Sequence, residues 1–61
     1  MIYTLVNEPE SEQARRAFEA LDDAFGAENF DKKSAQAVLV EHGFGKSDLD
    51  KLVEGGYAQE V

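Results

Sequence analysis

Apolar positions along the chain fall into five groups, and their spacing predicts the elements. Met1-Ile2-Tyr3-Thr4-Leu5-Val6 is β-branched and aromatic, which reads as a strand. Asn7-Glu8-Pro9 ends it. Proline suits the first turn of a helix, so Pro9 marks a helix start, with Asn7 or Ser11 as its cap. Ala14, Ala17, Phe18, Leu21, Ala24 and Phe25 then recur at the three- and four-residue spacing of an amphipathic helix. Gly26 closes it. Phe30-Asp31 opens a second helix, with Asp31 as N-cap and Phe30 stapled onto Ala35. Its inner face is Ala35, Val38, Leu39 and His42. Gly43-Phe44-Gly45-Lys46 forms a turn that plugs Phe44 into the core. Ser47 caps a short third helix from Asp48 to Glu54, built on Leu49, Leu52 and Val53. Gly55-Gly56 breaks it, and Tyr57 to Val61 alternates like a half-buried strand.

A lone strand leaves its backbone donors unmet, so the first and last segments are expected to pair. The expected fold is α+β: three helices packed on a small two-stranded sheet formed by the N- and C-terminal segments, in the order β-α-α-α-β. Residues 1–61 make one compact domain. Strand direction is not legible. A chain of this size buries only about 60% of its extended surface. It has no cysteine, so neither disulfides nor thiolate metal sites support it.

Charge changes the picture most. Thirteen acidic residues face six basic ones, for a net charge of −7. Residues 1–31 hold eight acids against Arg15 and Arg16; residues 32–40 hold only Lys32 and Lys33; residues 41–61 hold five acids against Lys46 and Lys51. Such a balance opposes phosphate backbones and anionic membranes. It favours a basic protein surface, a cationic ligand or high salt. No apolar run approaches the roughly 20 residues of a membrane span. The opening segment lacks the basic flank of a signal peptide. A cytoplasmic setting is expected, with no membrane and no direct nucleic-acid contact.

Several acids have a local reason. Glu8, Glu10 and Glu12 lie near the start of the first helix, and Glu12 and Glu19 can reach Arg15 or Arg16. Asp22 and Asp23 do not. They fall in the last turn of that helix, where the dipole disfavours a negative charge by roughly 0.3–1 kcal/mol each. Glu28 follows with no base near in sequence. Asp22, Asp23, Glu28, Glu19 and Glu54 are therefore the expected partner-binding carboxylates.

Catalytic and metal patterns fail on spacing. Gly45-Lys46-Ser47 matches the end of a P-loop, but Val40 stands where the first glycine belongs and a helix precedes the loop. A calcium loop started at Asp22 or Asp23 has Ala24 or Phe25 at its third position. His42 has no oriented partner. The chain is read as a non-enzyme with no cofactor and no metal.

Phe30 to Val61 resembles a degenerate winged helix: helix, glycine turn, short helix, then Gly55-Gly56-Tyr57 into a strand. Asp48, Asp50, Lys51 and Glu54 on its reading helix would meet phosphates with repulsion. In size, acidity and lack of catalytic groups, the chain resembles the small phage-encoded anti-CRISPR inhibitors, several of which are DNA mimics. That resemblance implies a binder of a CRISPR effector that keeps target DNA out, acting in the host cytoplasm. The alternatives are a small salt-adapted regulator with the winged-helix-like fold, an enzyme, and a self-associating protein joined through Phe44, Tyr57 or Val40.

Overall fold

The computed structural model describes residues 1–61. In chain order it contains β1 (Ile2–Leu5), α1 (Glu12–Phe25), β2 (Phe30–Asp31), α2 (Lys32–Glu41), α3 (Ser47–Glu54) and β3 (Ala58–Glu60). The fold is α+β with three helices, and the first and last segments pair as expected. The sheet, however, has three strands rather than two, in the order β2-β1-β3, and both pairings are antiparallel.

The third strand is the two-residue β2, formed by Phe30 and Asp31 just ahead of α2. Register sets Tyr3 opposite Phe30 on one side and opposite Glu60 on the other. Phe30, the residue before the α2 cap, is buried in the same core as Ala35. It enters the core as a strand residue, stacked on Phe25 with ring centroids 4.9 Å apart and on Tyr3 at 6.4 Å. Asp31 still caps α2, its carboxylate accepting from the Ser34 N–H at 2.8 Å.

Other boundaries move for physical reasons. Ser11, not Asn7, caps α1, and Pro9 is buried ahead of the helix rather than inside its first turn. Asn7 instead donates its side-chain amide to the Gly56 carbonyl at 3.3 Å. Ala20 replaces Ala24 on the buried face of α1. Ser47 is the first residue of α3 and supplies no cap; Asp48 reaches back to the Gly45 N–H at 2.9 Å. His42 points out to solvent, with Nδ1 2.9 Å from the Val38 carbonyl at the end of α2.

The core joins Tyr3, Phe30 and Ala58 from the sheet to Ala17, Leu21, Ala35, Leu39, Leu49 and Leu52 from the helices. No charged or polar side chain is buried. Phe44 and Tyr57 are part-buried against this cluster, so neither offers the free apolar patch expected of them; Val40 does, at 50% exposure.

Gly55 has an ordinary helical backbone, but a Cβ there would lie 2.5 Å from the Tyr57 ring. Its role is to admit that ring. Gly55→Ala is expected to cost about 1–2 kcal/mol by overpacking. In a Tyr57→Ala background the cost should vanish, which a double-mutant cycle by urea unfolding will read. Leu39 is fully buried at the centre of the core. Leu39→Ala is expected to lose about 2–5 kcal/mol. That leaves a domain of this size largely unfolded at 25 °C by circular dichroism.

Candidate functional site: an acidic corner

Helix α1 positions the first carboxylates. Asp22 and Asp23 follow Glu19 by three and four residues, so all three share the outward stripe opposite Ala17, Ala20 and Leu21. All three are exposed. Gly26 then ends the helix at φ 61, its N–H donating to the Asp22 carbonyl at 2.7 Å. The Glu28 N–H donates to the Phe25 carbonyl at 3.1 Å, which folds the connecting loop back on the helix end. Glu28 is thereby held just beyond Asp22 and Asp23. The stacked Phe25, Phe30 and Tyr3 rings fix this corner from inside.

Glu54 is elsewhere. It ends α3, whose following residues are tied to the segment before α1: the Asn7 amide reaches Gly56, and the Val6 N–H donates to the Tyr57 carbonyl at 2.8 Å. Asp22 lies eleven residues along α1 from Ser11, roughly 16 Å at 1.5 Å per residue. The structure thus brings Glu19, Asp22, Asp23 and Glu28 together and sets Glu54 toward the other end of the helix.

Two ion pairs form: Glu12 with Arg16 at 2.9 Å, and Asp48 with Lys51 at 3.8 Å. Of the thirteen acids, eleven have no such partner. Glu19 pairs with neither Arg15 nor Arg16, and Arg16 is held by Glu12. No three of the His, Asp and Glu residues are grouped closely enough to hold a metal ion. No helix is long and apolar enough to cross a membrane.

Three shallow concavities interrupt the surface. One of about 170 Å³ lies between α1 and α3 around Ala14, Ala17 and Leu52. One of about 400 Å³ lies beside Arg16 and Phe44. The third, about 450 Å³, runs along α2 between Lys33 and Lys46, floored by Ala37 and Val40. None is lined by Glu19, Asp22, Asp23, Glu28 or Glu54. The acidic corner lies outside all three concavities. Sequence spacing located Lys32 and Lys33 as a basic spot but not the approach of Lys46, which only the α2–α3 turn brings beside Lys33.

One carboxyl is perturbed. The Ser34 side chain, and after it the Ser34 backbone N–H, hold the Asp31 carboxyl below its ordinary 3.8. These bonds favour the charged form.

No family model matches the chain, and no curated protein or solved structure is significantly similar to it.

Because the folded-state pKa of Asp31 is depressed, its stabilisation is complete above pH 3.8 and is lost as pH falls below that value. Asparagine caps about as well as aspartate but does not titrate. Relative to Asp31→Asn, the parent protein should therefore lose stability on acidification from pH 5 to pH 3, measured by urea midpoints across that range.

Proposed function

We propose that the chain is a non-enzymatic acidic binding protein. It presents its carboxylates to the basic, nucleic-acid-binding site of a partner protein and blocks DNA engagement there. The partner class is a CRISPR effector, by resemblance to the small anti-CRISPR inhibitors, and the setting is the cytoplasm of the host cell.

The observation that carries this reading is the exposed, unpaired placement of Glu19, Asp22, Asp23 and Glu28 outside every concavity of the surface. Carboxylates that served a bound ion or substrate would converge on a cleft. These line no cleft and stand exposed at the end of α1, as suits contact with a basic site on another molecule. Two of them also oppose the α1 dipole, so helix stability does not account for their position. A groove lined with lysine and arginine supplies the missing countercharges. The longest axis of the molecule is 25 Å. That equals about seven base pairs at 3.4 Å each, a length that fits within a groove built for duplex DNA.

Contacts of this kind speed encounter and weaken steeply with salt. The test is competition: the protein is titrated against a purified CRISPR effector–guide complex and labelled target DNA. The parent should displace DNA at low salt and lose that ability as salt rises. Asp22→Lys with Asp23→Lys should raise the inhibitory concentration at least tenfold, about 1.4 kcal/mol. Glu54→Lys should have a smaller effect. Equal inhibition by the doubly reversed protein and the parent would exclude the acidic corner as the contact.

A further inference from the structure

Three of the four lysines stand where their helices disfavour them. Lys32 and Lys33 are the first two residues of α2, whose first turn holds no acid. Lys46 sits at the N-terminal cap of α3. A helix start carries a partial positive charge, so it favours carboxylates over ammonium groups. Nor do these lysines find countercharges, since Lys51 is the one lysine in an ion pair. With thirteen acids for six bases, carboxylates are not scarce in this chain. Neither helix stability nor internal pairing accounts for Lys32, Lys33 and Lys46.

Two of the three line one groove. Lys33 and Lys46 share the shallow concavity of about 450 Å³ along α2, with Ala37 and Val40 as its floor and Gln36 and Glu41 completing its wall. Lys33, Ala37 and Val40 recur at four- and three-residue spacing, so they form one stripe roughly 10 Å long at 1.5 Å per residue. The opposite side of the same helix buries Ala35 and Leu39. Helix α2 is therefore apolar on two sides, one in the core and one at the surface. Val40 is the one large exposed apolar side chain outside the two terminal segments of the chain.

Chemistry and shape select the occupant. The free ammonium groups call for carboxylates, and the floor calls for an apolar group beside them. A small-molecule site encloses about 70–90% of its ligand, which an open groove does not. A groove of this kind suits an amphipathic helix laid along it. A polyanion suits it poorly: Glu41 stands in the wall, and the net −7 repels nucleic acid and anionic membranes. A segment with few carboxylates escapes most of that repulsion, because charges beyond about 8 Å are screened at physiological salt. We propose that the α2 groove docks an acidic amphipathic helix of a partner protein. Its apolar side chain rests on Ala37 and Val40, and its carboxylates meet Lys33 and Lys46. Lys32 adds a further ammonium at the start of α2. This reading does not rest on the acidic corner, which shares none of these residues.

The test is an NMR titration of the isotope-labelled protein with a short synthetic helical peptide that sets leucines between glutamates on one face. Saturable amide shifts should centre on Lys33, Ala37, Val40 and Lys46. Lys33→Glu with Lys46→Glu should weaken peptide binding at least tenfold. Both changes suit a helix start, so this variant keeps its fold, which circular dichroism checks. Val40→Ser should weaken binding as well, whereas Asp22→Lys with Asp23→Lys should bind at least as tightly as the parent. Peptides with glutamine for glutamate, or serine for leucine, should bind at least tenfold more weakly. No saturable binding, shifts centred elsewhere, or equal binding by the charge-reversed variant would overturn the proposal. So would shifts in the groove that grow with protein concentration alone, which assign it to a second copy. Tighter binding of a single-stranded oligonucleotide in the groove would assign it to nucleic acid and overturn the proposal too.

Discussion

The fold depends on the backbone pairing of β1. It is the central strand, and β2 and β3 meet only through it. Remove it, and two short strands lose their hydrogen-bond partners together. Tyr3 sits at the middle of β1, and its ring closes the aromatic stack that runs through Phe30 to Phe25. That stack joins the sheet to the end of α1. The side chain that anchors the sheet thus also anchors the corner where the carboxylates gather. Asp31 extends the same economy: its backbone completes β2 and its carboxylate starts α2.

Around this scaffold, the interior is wholly apolar. No charged side chain is buried, so the net −7 lies entirely on the surface. Self-repulsion of that size works against a core whose largest fully buried members are four leucines. The structure answers with caps at Ser11 and Asp31 and with close packing at Gly55, rather than with ion pairs. Both observed pairs join residues three or four apart on a single helix. Exposed pairs of that kind contribute little.

Two regions of the surface differ in character. The corner at the end of α1 is charged and unpaired. The outer sheet face exposes Ile2, Val6 and Val61, with Asp31 in register beside Ile2.

Much of the architecture is fixed by local chemistry, and is therefore legible in the sequence. The three helices follow from apolar periodicity in α1 and α3 and from the stops at Gly26, Gly43 and Gly55-Gly56. Asp31 as a cap follows from side-chain reach to a backbone N–H three residues on. The stripe of Glu19, Asp22 and Asp23 follows from helical geometry alone. Tertiary structure decided the rest. Phe30-Asp31 became a strand because β1 had a free edge to satisfy, a demand set by a segment nearly thirty residues away. Ser47 fell inside α3 and caps nothing, while the turn brought the Gly45 N–H within reach of the Asp48 carboxylate. Glu54 parted from the acidic corner, and Lys46 joined Lys33, because helix packing, not sequence distance, sets which ends lie side by side. Periodicity within an element depends on neighbours a few residues apart. Pairing between elements depends on which backbone groups remain unsatisfied once the chain has folded back, and no local pattern carries that information.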